Sequence, residues 1–153
     1  MSIADILIRM LAACAFGFII GFDREYRQRP AGLRTITMVS LASCTFAVIA
    51  IEMAATINNA DTVRLDPTRA VEAVTAGVAF VAAGTIIQAR GDIRGLTTGA
   101  SMWLSGSVGL ASGAGYLSIA LMATVLAMVI LVPMHMLERR LPKKQEREPA
   151  SSD

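Results

Sequence analysis

The chain has 153 residues, of which 54% are hydrophobic and only 17% charged, and its mean hydropathy is +0.57. That is too apolar for an ordinary soluble domain. The charges gather in short stretches between apolar runs near the ~20 residues needed to cross a bilayer core, so one integral membrane domain is expected. The net charge of +2 leaves no nucleic-acid footprint, because most basic residues lie beside predicted membrane ends, where they orient helices.

Five spans are predicted in an all-α, polytopic transmembrane bundle, the first from about Ile3 to Phe22. Its leader, MSIADILIRM, has no basic n-region, so the segment is expected to be retained. The second span covers about Thr35 to Ile57, the third Thr68 to Gln88, the fourth Thr97 to Ser112 and the fifth Tyr116 to Leu137. Together they form a domain over residues 1–138, followed by a basic tail, 139–153, whose polar, Pro-bearing composition predicts disorder. Arg24, Arg27, Arg29 and Arg34 follow the first span, Arg90 and Arg94 the third, and Arg139, Arg140, Lys143, Lys144 and Arg147 the fifth. The positive-inside rule then puts the N-terminus outside and the C-terminus in the cytoplasm.

The stretch Gly21 to Thr35 organises the rest, because it places a dense charge cluster at a membrane face. Gly32-Leu33-Arg34-Thr35 is echoed by Gly95-Leu96-Thr97-Thr98, which raises a parallel repeat of two spans each. Thr is a good N-cap, and two helix N-termini beside Arg34 and Arg94 would make a cytoplasm-facing anion site. In the plainer reading these arginines meet lipid headgroups, or pair with Asp23, Glu25 and Asp92.

Close helix packing is expected from Gly17-x-x-x-Gly21 and Gly109-x-x-x-Gly113, extended by Gly99 and Gly106, with Gly84 a packing residue of the third span, and Trp103 is expected to face protein. Cys14 and Cys44 read as small packing residues. Arg9, Glu52 and Glu72 lie within apolar runs, so they should face the bundle interior and pair with one another, with Arg69 a local partner for Glu72. They read either as part of an ion path or as a structural ion pair. No enzyme, cofactor or dedicated magnesium site is expected. His135 has no nucleophile partner, and two carboxylates fall short of the oxygen cage that magnesium prefers.

Several separated motifs then occur in order: Gly21-Phe22-Asp23-Arg24-Glu25, Ala31-Gly32-Leu33-Arg34-Thr35, Asp66-Pro67-Thr68-Arg69, and Arg94-Gly95-Leu96-Thr97-Thr98 with Trp103. Over about residues 3 to 135 the chain resembles the MgtC/SapB family of bacterial inner-membrane proteins. The resemblance implies a small polytopic domain, in some members a virulence factor needed for growth at low magnesium, and in the best-known member a restraint on the proton-driven ATP synthase. It marks Asp23, Arg24, Glu25, Gly32, Arg34, Thr35, Arg69, Gly84, Arg94, Gly95, Thr97 and Thr98. The chain departs from the family in having Asp23 for Glu, Ala79 and Ala82 for two glycines, and Ala73 for a Gln, and it is expected to be a short form without the soluble ACT-like domain of many relatives. A regulatory or adaptor role in the inner membrane follows, with the lipid bilayer, a homodimer and a membrane complex such as the ATP synthase as partners. The rival is a transporter or channel for magnesium or another cation, and an enzyme acting on a phosphorylated or lipid substrate at the Arg34/Arg94 face is a distant third.

Overall fold

A computed structural model describes residues 1–57, 66, 68–89 and 92–138. The tail, most of the loop between the second and third predicted spans, and the side chain of His135 lie outside the described residues. Among the described residues five helices follow in the expected order: α1 (Ile3–Tyr26), α2 (Leu33–Ile57), α3 (Thr68–Ala83), α4 (Leu96–Gly113) and α5 (Leu117–Glu138). Between α3 and α4 lies an unexpected antiparallel hairpin, β1 (Ile87–Ala89) paired with β2 (Asp92–Arg94), in which Ile87 opposes Arg94.

Three boundaries move. α1 continues through Asp23-Arg24-Glu25, so these charges form a last helical turn. α2 starts at Leu33, which puts Arg34 and Thr35 in its first turn. α3 stops at Ala83, five residues short of the predicted Gln88. Gly84 and the β-branched run Thr85-Ile86-Ile87 follow, and both disfavour continued helix.

The radial pattern is inverted relative to a soluble bundle. Leu7 and Leu11 of α1 are 55% and 59% exposed and Leu126 and Ile130 of α5 are 61% and 62%, whereas Ser40, Ser43, Ser105, Ser112 and Thr124 are buried. Large apolar side chains outside and small or hydroxyl-bearing ones inside suit a helix bundle solvated by lipid. α1 and residues Leu33–Thr56 of α2 are each long and apolar enough to cross a membrane, and Leu117–Pro133 of α5 is a shorter apolar stretch. α3, at 16 residues, reaches only about 24 Å against a hydrocarbon core of about 30 Å.

α4 is the central helix. Its buried side is Gly99, Met102, Ser105, Gly106, Val108, Gly109, Ser112 and Gly113 together with Thr98 and Ser101. The absence of side chains there sets the distances between helices. A Cβ on Gly109 would run into the Ser40 carbonyl of α2, and one on Gly106 would come within 2.9 Å of Val78 of α3. Gly17 and Gly21 do the same for α1 against α2, at 2.8 Å from Ser40 Cβ and 2.9 Å from Leu33 Cα. Hydroxyls then bond across the close contacts. Ser40 Oγ donates to the Ala13 carbonyl (2.8 Å) and Ser105 Oγ to the Ile36 carbonyl (2.9 Å).

Two packing expectations are corrected. Trp103 is 51% exposed and looks outward, because the packed side of α4 is the glycine and serine side, which has no room for an indole. Among the described residues Gly84 packs against no other helix. A Cβ there would meet only the Val81 and Phe80 carbonyls of its own chain turn, so it serves as the stop of α3.

Candidate functional site

The motif residues converge at one end of the bundle, around Arg24. This arginine is 2% exposed, and all three of its nitrogens find oxygen acceptors. Nε donates to the Ala31 carbonyl (3.0 Å), and Nη2 donates to the Pro30 carbonyl (2.8 Å) and Thr98 Oγ1 (2.6 Å). Nη1 donates to Ser101 Oγ at 2.9 Å, with the Thr97 carbonyl at a long 3.5 Å. Every acceptor is neutral. The planar, five-donor fork of arginine suits this task, which a lysine ammonium could not perform. Arg24 thus clamps the 30–31 turn and the first turn of α4 to the end of α1.

The neighbouring carboxylates have separate tasks. Asp23 Oδ1 accepts from Arg27 Nε at 2.8 Å, one turn along the same helix. Glu25 Oε2 accepts the Leu33 N–H at 3.0 Å, capping α2 from outside. The same carboxylate lies so close to Gly32 that a Cβ there would overlap it. The connection also needs left-handed backbone at Gln28 (φ 52°) and Ala31 (φ 55°).

The anticipated anion site is therefore different from the expectation at both helix ends. At α2 the N-terminal position is taken by the chain's own Glu25. At α4 the cap is Gly95, with φ 90° and no side-chain hydrogen bond, and a Cβ there would strike the Thr85 carbonyl. Neither Thr35 nor Thr97 is an N-cap, because α2 begins at Leu33 and α4 at Leu96, which puts both threonines inside the first helical turn. Thr98 is used instead as an acceptor for Arg24. The two turns share Gly-Leu ahead of a helix but not their backbone, since the left-handed residue is Ala31 in one and Gly95 in the other. Arg34, Thr35, Arg94 and Thr97 are exposed on this face, and Arg34 has no partner among the described residues.

The intramembrane charges do not pair with one another. Arg9 Nη1 donates to the Gly113 carbonyl at 2.7 Å, at the C-terminal end of α4, where the helix dipole favours a cation. Glu52 accepts from the Met1 ammonium at 2.6 Å. Glu72 is exposed and makes no ion pair among the described residues with Arg69, which is also exposed. Cys14 and Cys44 are free thiols, with Cys44 buried. Among the described residues no group of three His, Cys, Asp or Glu side chains is placed to hold a metal ion.

Sequence reasoning missed Ser101, Pro30 and Ala31, which complete the Arg24 cage. Ser101 lies one helical turn beyond Thr98, and a hydroxyl pair at that spacing on an otherwise small-residue helix was the available signal. The two carbonyls carry no side-chain signature at all.

An inverted, serine- and glycine-lined bundle with a buried arginine hub at one end defines an all-α membrane protein. Residues 10–140 match the sequence profile of the MgtC family, and the chain belongs to that family. It is 33% identical over 141 residues to the putative magnesium transporter YhiD of Escherichia coli K12, covering 92% of this chain and 66% of that protein. It is 35% identical over 113 residues to protein SapB of Bacillus subtilis (73% and 49%), and 36% identical over 121 residues to protein MgtC of Brucella abortus (79% and 48%). The chain thus spans about half to two thirds of the length of these relatives. No solved structure matches it.

Proposed function

We propose that this protein is a regulatory or adaptor subunit of the bacterial inner membrane, tied to adaptation to low magnesium or to virulence-related stress, with its motif face turned to the cytoplasm. The observation that carries the reading is the closure of that face from within. Arg24 is saturated by neutral oxygens of its own chain and Glu25 caps α2. The motif accordingly builds a rigid platform that presents Arg34, Thr35 and the β-hairpin outward. A platform of this kind suits contact with another membrane complex, such as the proton-driven ATP synthase, by a homodimer with its N-terminus outside and C-terminus inside.

A second reading, transport of magnesium or another cation by a homo-oligomer, draws on the name of the Escherichia coli relative and on the exposed Glu72 of α3. Proteoliposomes loaded with separate magnesium, sodium and proton gradients distinguish the two. Flux that falls with Glu72→Gln or Arg34→Ala overturns the adaptor reading. Absence of flux, together with a specific crosslink from the Asp23 to Thr35 segment to a second membrane protein, supports it.

A further inference from the structure

We infer that the cleft between α2 and α3 is a binding site for one acyl chain of an anionic phospholipid, with the headgroup at the Arg34 end. The cleft has a volume of about 550 Å³, within the range of ligand sites. Its walls include Val39, Phe46, Ala73, Gly77 and Val78, with Ser43 its polar lining side chain.

α3 is the least embedded helix. Ala82 is its buried residue, and a Cβ on Gly77 would have nothing within 4 Å. The glycine that elsewhere in this chain brings two helices together here faces open space. A membrane-embedded apolar cleft of this kind does not stay empty, because the surrounding solvent is hydrocarbon.

Its dimensions select the occupant. The lining runs from Val39 to Met53 on α2 and from Ala70 to Val81 on α3, about 21 Å and 17 Å at the helical rise. One leaflet of the bilayer core is about 15 Å deep, so the cleft has the length of one lipid chain.

Charge selects the headgroup and its orientation. Thr35 lies one helical turn before Val39 on the same face of α2, and Arg34, about 100° round the helix from Thr35, is exposed at the same end, as is Arg94 at the end of the hairpin. The opposite end of the cleft has exposed Asp66 and Glu72 with Arg69, while Glu52 there is paired with the Met1 ammonium. An anionic headgroup is favoured at the first end and disfavoured at the second.

The test is native mass spectrometry of the full chain released from detergent, with phosphatidylglycerol and phosphatidylcholine of matched acyl chains as probes. The wild type is expected to retain one phosphatidylglycerol several times more strongly than phosphatidylcholine. Gly77→Leu, whose Cβ would have nothing within 4 Å and whose branch takes up space in the cleft, is expected to lower retention of both lipids at least fivefold. Arg34→Gln, which leaves the cleft's shape intact and carries the test should Gly77→Leu fail to fold, is expected to lower phosphatidylglycerol about fivefold, toward the phosphatidylcholine level. Equal retention of the two lipids by the wild type overturns the proposal. Unchanged phosphatidylglycerol in a folded Gly77→Leu overturns it too, and if that variant also turns dimers into monomers, the cleft belongs to a second copy of the chain.

Discussion

Arg24 Nη2 donates to Thr98 Oγ1 at 2.6 Å across 74 residues of chain, joining the last turn of α1 to the first turn of α4. Both groups are buried, at 2% and 4% exposure. The bond ties together the two motifs that the sequence presents as separate. Removing the arginine side chain strands neutral acceptors and leaves a void, so Arg24→Ala is expected to destabilise the bundle by about 2–4 kcal/mol. Arg24→Lys is expected to recover little of this, because a point ammonium cannot reach acceptors on three sides. Reversible unfolding in mixed micelles, followed by helix content, measures both. Stability within ~1 kcal/mol of wild type for Arg24→Ala would show that the cage is incidental.

The glycines divide into two groups with opposite expected behaviour. Gly109→Ala drives a Cβ into the Ser40 carbonyl, and Gly95→Ala sets one against the Thr85 carbonyl at φ 90°. Each is expected to cost about 2–4 kcal/mol, as overpacking and backbone strain add. Gly77→Ala meets open space and is expected to be neutral or stabilising by up to about 1 kcal/mol. The same unfolding assay ranks the three, and an equal cost at Gly77 and Gly109 would contradict the packing described.

Glu25 acts as a cap supplied by the preceding helix. Glu25→Ala is expected to cost about 1 kcal/mol, the usual value of a lost N-terminal acceptor, and Glu25→Gln less, because its amide oxygen can still accept from the Leu33 N–H. Amide exchange at Leu33 reports the cap directly. It should speed up in the Ala variant and change little in the Gln variant.

Asp66 lies outside the helices and accepts the Thr68 N–H at 2.9 Å. That bond, with a smaller contribution from Arg69, holds its carboxyl below the ordinary value of 3.8. A depressed folded pKa means the contribution is fully present above the unfolded value and is lost as pH falls through the folded one. The start of α3 is therefore expected to be insensitive to pH between 5 and 8 (approximate bounds of the neutral range), and to fray only in acid below 3.8. Asp66→Asn should abolish that acid transition. Carboxyl-carbon chemical shifts against pH, read beside amide exchange at Thr68, test it.

Much of the architecture is set by one-dimensional features. Five apolar runs, the basic loops between them and the Gly17, Gly21, Gly109 and Gly113 pairs dictate five helices in close contact, since backbone amides in lipid must be satisfied within each helix and small residues let helices meet. The ordered motifs likewise place the chain in its family. Tertiary structure decided which partner each polar group takes. Asp23, Arg24 and Glu25 are consecutive in the sequence, yet they turn to Arg27, to the α4 hydroxyls and to the α2 N-terminus, because successive helical side chains point about 100° apart. Arg9 found a helix C-terminus instead of a carboxylate, and Trp103 turned outward, because the neighbour that each meets is fixed by how α4 sits among the other helices. Such long-range choices leave no trace in spacing or composition, since they depend on which backbone carbonyls and glycine faces come together after the helices have formed.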